Sequence, residues 1–265
     1  PQWPLSLLVM FLGMSAIIAL ASLYYIRVAR FDRLTSVAAS LTGGLSNIVA
    51  AAIQMGANPP GVVIGQLFRL TAVVVLVPTI YAIWIDVPDA LPGESAAIQA
   101  QHLWILPLGL PALWLARLVR LPAAEMLGPL VLSAGFSVAG YGLVLPDWGF
   151  AIVFMILGTG IGARFYGLSL RTLLGIGRHG AVATFIVLAG SAVLAIPLSM
   201  VANVPVHVAL LAVVPGGVAE MAILAAVLGV DPVFVTFHQA FRSIVLNAIA
   251  PLILHRLRDT PNEPR

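Results

Sequence analysis

The sequence predicts an all-α polytopic membrane protein made of inverted repeats, with about seven spanning helices and two re-entrant Gly-Gly hairpins. Three observations predict it. The composition is too apolar for water, an internal repeat matches at rare residue types, and the arginines fall on one side only if two segments turn back. Of the 265 residues, 61% are hydrophobic and 9% charged, whereas a soluble domain carries roughly 25% charged residues. Several apolar runs reach the ~20 residues a helix needs to cross a bilayer. They lack the alternation of a membrane β-barrel, so the spans are helical. The net charge of +3 comes from arginines scattered in loops, which is a topology signal rather than a nucleic-acid signal. There are no cysteines, which excludes disulfides, iron–sulfur clusters and thiolate metal sites. The chain opens on Pro1, and its first apolar run is followed by "RVARFDR" without a small-residue cleavage site, so no signal peptide is expected.

Leu41–Ile80 lies over Val214–Ile253 without a gap, at an offset of 173 (216 − 43). The matches include Gly43/Gly216, Gly44/Gly217, Gly56/Gly229, Pro59/Pro232, Gln66/Gln239, Phe68/Phe241, Arg69/Arg242 and Pro78/Pro251. Chance similarity between apolar segments matches Leu, Val and Ala, not glycine pairs, an arginine and two prolines in register. Duplication is the reading. The expected organisation is a partial first repeat over 1–85, an extracytoplasmic linker over 86–101, a second repeat over 102–256 and a cytoplasmic tail over 257–265. The second copy has a long leader from about His102. The first copy's leader would begin roughly 70 residues before Pro1 (102 − 173), so the first repeat is expected to be N-terminally incomplete.

Apolar segments run over 4–26, 36–56, 60–85, 103–119, 122–144, 148–165, 181–203, 206–229 and 233–255. If all nine span, the acidic loop with Asp86, Asp89 and Glu94 shares a side with Arg27, Arg30 and Arg33, and Arg117 and Arg120 fall opposite. The positive-inside rule then fails. If 36–56 and 206–229 are hairpins that return to the side they entered, every arginine cluster falls inside, and the repeats are inverted. The alternative is that each Gly-Gly segment is a broken helix that does cross.

Broken backbone at membrane depth is tolerated only where protein or a water-filled cavity satisfies it. The tips at Gly43, Gly44, Gly216 and Gly217 are therefore candidate binding elements, since the half-helix after each tip points a positive end at an anion. Close helix–helix contact is the plainer alternative. Glu220 lies three residues past Gly217, and its counterpart is Asn47. One carboxylate and one amide at matched positions suit a proton or Na⁺ site in one half and neutral hydrogen bonding in the other. A structural pair with an arginine is the alternative. Arg69 and Arg242 lie about ten residues into their helices, ~15 Å deep, with Gln66 and Gln239 three residues earlier on the same face. The two arginines suit an anion held by bidentate bonds; alternatively each clamps the C-terminal carbonyls of a hairpin. His238, four residues before Arg242, suits packing or hydrogen bonding better than metal ligation. Asn58 and Asp231 are expected helix caps, and Asn247 a helix-to-helix hydrogen bond. Glu125 in "LPAAEMLGPLVLSAG" is expected to pair with Arg117 or Arg120. Gly158 and Gly162 are spaced for close packing, and "SLRTLLGIGRHG" (169–180) reads as an interfacial connector.

The "PGGVAEM" hairpin, the "LGVDPVFV" turn, the "QAFR" helix and the "LPAAEMLGPL" segment resemble the AbrB-type duplicated membrane proteins of bacteria, which are not the small DNA-binding regulator sharing the name. The resemblance covers nearly all of the chain and is strongest in the second copy. The first copy's "TGGLSN" departs from it, with Thr42 for proline and Asn47 for the acid. Members are labelled ammonia monooxygenases or regulators of gene expression, and the unit of spans plus Gly-Gly hairpin is similar to glutamate and citrate symporters. The resemblance implies transport.

The expected function is secondary transport of a small organic anion, coupled to H⁺ or Na⁺ through Glu220, by alternating access. No catalytic residue, metal site, resident cofactor or nucleic-acid partner is expected. The partners are the lipid bilayer, a small anionic metabolite and, as an option, a second copy in a homodimer. The location is the bacterial cytoplasmic membrane, multi-pass, with the C-terminus inside. One alternative is indirect regulation of gene expression by exporting or sensing a metabolite. A remote one is a membrane monooxygenase, which the scattered histidines His102, His179, His207, His238 and His255 do not suit, because copper or iron sites need clustered ligands.

Overall fold

A computed structural model describes residues 3–43, 45–84, 104–119, 121, 124–141, 147–163, 166–167, 169–228 and 230–258. Every element in them is a helix: α1 (Trp3–Arg27), α2 (Arg33–Ser40), α3 (Leu45–Gln54), α4 (Pro59–Trp84), α5 (Ile105–Leu118), α6 (Ala124–Val138), α7 (Asp147–Ala163), α8 (Leu170–Ala202), α9 (Val206–Val213), α10 (Val218–Val227) and α11 (Pro232–Arg258). The chain forms two compact units. One comprises Pro1–Val87, Gly158–Ala226 and Val230–Arg265, the other Pro88–Leu157 and Val227–Gly229.

In the first unit α1, α4, α8 and α11 are each long and apolar enough to cross a membrane. They are apolar all round, as lipid- and core-facing helices must be. Small residues let them approach closely. A Cβ on Gly190 of α8 would stand 2.8 Å from Ile17 of α1, and one on Gly177 would stand 2.6 Å from the Phe68 ring of α4.

Four short helices form two helix–break–helix pairs, α2/α3 and α9/α10. The breaks have local causes. Leu41 and Val214, which end α2 and α9, are extended, with ψ of 132° and 128°. Pro215 has no N–H to continue α9 and disfavours a helical Val214. In the first pair Asp32 caps α2 by accepting from Thr35 N at 2.8 Å. Asn58 caps α4 by accepting from Gly61 N at 3.0 Å, and its own N–H donates to Thr35 Oγ1 at 2.8 Å. The chain leaving α3 thus returns to where α2 began. A straight run over 33–54 would separate its ends by ~30 Å, so the pair turns back on itself. In the second pair Asp231 caps α11 through Val233 N at 2.9 Å.

The mouths of the two pairs lie at opposite ends of α4. Thr35 of α2 meets the start of α4, while near its far end Tyr81 donates its hydroxyl proton to the carbonyl of His207, at the start of α9. Gly61 and Tyr81 are ~30 Å apart along the helix. The breaks nevertheless meet midway. A Cβ on Gly43 would stand 3.2 Å from Asn247 Oδ1 and 3.4 Å from Leu246, and Arg242, one turn earlier on α11, bonds Val214 and Gly216. Leu246, Ala250 and Leu254 of α11 share a core with Leu34, Ala38, Leu41, Ile48 and Ala52 of the first pair.

The structure differs from the sequence reading in two places. Residues 170–180 continue into α8, a single helix of 33 residues, because nothing in "LLGIGRHG" is strong enough to stop it. Gly158 and Gly162 meet nothing within 4 Å among the described residues, so they do not mark a close contact there. The described parts of α5, α6 and α7 cover 14, 15 and 17 residues. The acidic 86–101 loop, Arg120 and the Glu125 side chain lie outside the described residues.

In the second unit α5 and α6 pack together, and Trp104 stands edge-on to Phe136 at 5.1 Å. A Cβ on Gly128 of α6 would stand 2.6 Å from the carbonyl oxygen of Ala112 in α5. Backbone cannot swing aside as a side chain can. Gly128→Ala is expected to destabilise the protein by about 1–3 kcal/mol, read as a lowered melting temperature in detergent.

Candidate functional site

The site is built where the two breaks meet. Arg69 and Arg242, with Gln66 and Gln239, are all buried. Burial of an ionic or polar side chain at membrane depth is costly unless its hydrogen bonds are made. A broken helix offers the needed partners, because the last carbonyls of α2 and α9 have no N–H four residues ahead to accept from. Gln66 Nε2 donates to Ala38 O at 2.8 Å, and Arg69 donates to Ser40 O at 3.4 Å and Leu41 O at 3.2 Å. In the second half Gln239 Nε2 donates to Leu211 O at 2.7 Å and Val214 O at 2.9 Å. Arg242 donates to Val213 O at 3.3 Å, Val214 O at 3.2 Å and Gly216 O at 2.9 Å. Each glutamine and arginine thus clamps the C-terminal carbonyls of its own hairpin. The positions correspond: 239 − 66, 242 − 69 and 211 − 38 all equal 173.

The clamps leave one polar group of each residue over. Among the described residues, Nε of both arginines and Oε1 of both glutamines are buried without a hydrogen-bond partner. The guanidinium forks are taken by carbonyls, so bidentate capture of a carboxylate by the forks is not the arrangement present. The charges remain, because arginine is not deprotonated in proteins.

Beyond each break a new helix begins, so the positive ends of α3 and α10 lie at the same level as the guanidinium groups. Glu220 stands in the first turn of α10, three residues after Gly217, the spacing at which an acidic side chain folds back over a helix start. It does so closely: a Cβ on Gly217 would collide with the Glu220 carboxylate, and one on Gly216 would stand 2.7 Å from Met221 Cε. Glycine at 217 is what lets the carboxylate lie there. Gly44 and the side chain of Asn47 lie outside the described residues.

His238 is fully buried. Nδ1 stands 2.9 Å from Phe234 O and Nε2 2.9 Å from Ser6 Oγ of α1, whose hydroxyl also reaches Trp3 O at 2.9 Å. It is a hydrogen-bonding residue between helices, with the Phe234 ring tilted at 39° against it and the ring centroids 4.1 Å apart. Among the described residues no group of three or more His, Asp or Glu is placed to hold a metal ion.

Gly43, Gly216, Gly217, Glu220, Arg69 and Arg242 therefore lie at or beside the converging breaks, with Gln66 and Gln239 one turn away. Sequence reading missed Asn247 as a neighbour of the first tip, and missed Tyr25 and Thr184 beside Arg69. A tyrosine and a threonine on separate apolar helices carry no spacing signal. The carbonyl acceptors were legible only as a class, since a main-chain oxygen has no residue identity.

Among known proteins, a family model described as "Transition state regulatory protein AbrB" matches residues 1–258. The uncharacterized protein YhjN of Bacillus subtilis (strain 168) is 27% identical over 268 residues, covering 92% of this chain and 70% of its own. No solved structure matches.

Proposed function

The chain belongs to the AbrB family, and from that premise we propose that it is an integral membrane secondary transporter of a small organic anion. One observation carries the reading: two hairpins with mouths at opposite ends of α4 bring their breaks together midway, at two buried arginines. The matching hydrogen bonds at an offset of 173 support duplication. The opposed mouths support inverted repeats with re-entrant hairpins, one entering from each side of the bacterial cytoplasmic membrane, and the positive-inside count favours a cytoplasmic C-terminus. A homodimer is compatible with the plan.

In this reading the arginines act as charge rather than as a fork. They fix the hairpin tips and make the midplane electropositive, while the starts of α3 and α10 present N–H groups to the anion. Glu220 is the group that takes up H⁺ or Na⁺, so that anion and cation cross together. Rocking of the helices around the tips exposes the site to one face and then the other. No enzymatic step or cofactor is part of the proposal.

The test is uptake of labelled carboxylates into proteoliposomes under imposed H⁺ or Na⁺ gradients. Wild-type protein should accumulate at least one carboxylate, and Glu220→Gln should retain binding yet lose accumulation against a gradient. Gradient-driven uptake undiminished in Glu220→Gln would remove that residue from coupling. The printed family description favours a second reading, in which transport or sensing of a metabolite alters gene expression indirectly. A deletion strain whose transcript changes are rescued by wild-type protein but not by a transport-dead variant would support it.

A further inference from the structure

We propose that the first half of the protein holds a monoatomic anion, of the size of chloride, against Arg69 and apart from the hairpin tips. A small cavity of about 10 Å³ is lined in part by Tyr25 of α1, Ser40 of α2, Gly65 and Arg69 of α4, and Thr184 of α8, with alanines and Val187 completing it. Arg69 and Thr184 are buried, and among the described residues neither Arg69 Nε nor the Thr184 hydroxyl meets a hydrogen-bond partner. The Tyr25 hydroxyl lies beside Gly65, close enough that a Cβ there would stand 2.8 Å from its oxygen. The Ser40 hydroxyl is already committed to Ser36 O at 2.8 Å.

A guanidinium and two hydroxyl-bearing side chains therefore line one small space. All three are able to donate, and an N–H of arginine can do nothing else. Water would accept from at most two of them, whereas an anion can accept from all three at once. An acceptor-only guest suits the set better. Charge points the same way: the partners of the Arg69 fork are neutral carbonyls, so a buried cation is hydrogen-bonded but not neutralised. Size excludes carboxylates, phosphate and sulfate and leaves a halide.

The second half shows why the site is single. Under the offset of 173 the counterpart of Gly65 is His238 (65 + 173), which brings a ring where Gly65 has no side chain and is bonded to Phe234 and Ser6. The counterparts of Tyr25 and Thr184 are Leu198 (25 + 173) and Phe11 (184 − 173), which donate nothing. This anion site does not depend on the transport reading.

The experiment compares melting of the full chain in detergent in sodium chloride, sodium bromide and sodium gluconate at equal ionic strength, and locates bromide by anomalous diffraction from crystals. Wild-type protein should melt about 3 °C higher in either halide than in gluconate. Thr184→Val and Tyr25→Phe should each at least halve that difference, and a bromide peak should lie within hydrogen-bond distance of Arg69 Nε. Equal melting in the three salts, a halide effect undiminished in both variants, or bromide confined to other places as an adventitious ion only would each overturn the proposal. The diffraction arm uses wild-type protein, so it decides even if a variant fails to fold.

Discussion

Arg242→Ala is expected to release the second hairpin tip and to lower stability by about 2–3 kcal/mol. Bonds to three carbonyls are lost at once, those of Val213 and Gly216 and that of Val214, which keeps Gln239 as a donor. A single hydrogen bond between membrane helices averages only about 0.6 kcal/mol, because the unfolded chain in lipid also finds partners. Bonds from a charged donor are stronger, about 1.5–3 kcal/mol, and the two geometries above 3.1 Å keep the sum below three times that figure. The measurement is the free energy of reversible unfolding in mixed micelles. Arg242→Lys separates the contributions: the charge survives, but an ammonium point donor cannot span three carbonyls in a row. It should recover about half of the loss. Arg242→Ala unfolding with wild-type energetics would show that the clamp is not holding the tip.

The second large effect is qualitative. The protein has no cysteine, so single cysteines report their side of the membrane without background. Arg33, at the start of α2, and Val206, at the start of α9, are both exposed. In sealed vesicles of known orientation, a membrane-impermeant maleimide should label Arg33→Cys and Val206→Cys from opposite sides. The positive-inside rule predicts that the label reaches Arg33→Cys from the cytoplasmic side. Labelling of both from one side would exclude opposed hairpins and with them the inverted arrangement.

The parts of this architecture that the sequence carried were those written in rare residues. Gly-Gly, Arg and Gln at matched positions located the two breaks and the helices that clamp them, because such residues in an apolar run have few structural alternatives. Asn58 and Asp231 were legible as caps for the same reason, and both accept from N–H groups in the first turn of the helix that follows. What the arginines do was not legible. A guanidinium offers the same donors to a substrate carboxylate and to a carbonyl, and only the position of α2 and α9 alongside α4 and α11 decides which is nearest. The continuity of α8 was missed because polar residues at 171, 178 and 179 resemble a connector. Yet arginine and histidine tolerate a helix well, and Tyr24 receives His179 at 3.1 Å, so polarity there did not mean a break. The neighbours of Arg69 on α1 and α8 were beyond reach, since nothing in a one-dimensional pattern says which helices pack together.

The placement of α11 has a mechanical consequence. Within one turn this helix grips the tip of one hairpin through Arg242 and supports the tip of the other through Leu246 and Asn247. A rigid rod that bears on two tips cannot shift for one and leave the other undisturbed. Under the proposed transport cycle the two tips are the gates, and any rotation that loosens one changes the load on the other in the same movement. A shared axle would then tie their motions, and the coordination of the two would rest on a single helix rather than on the timing of two.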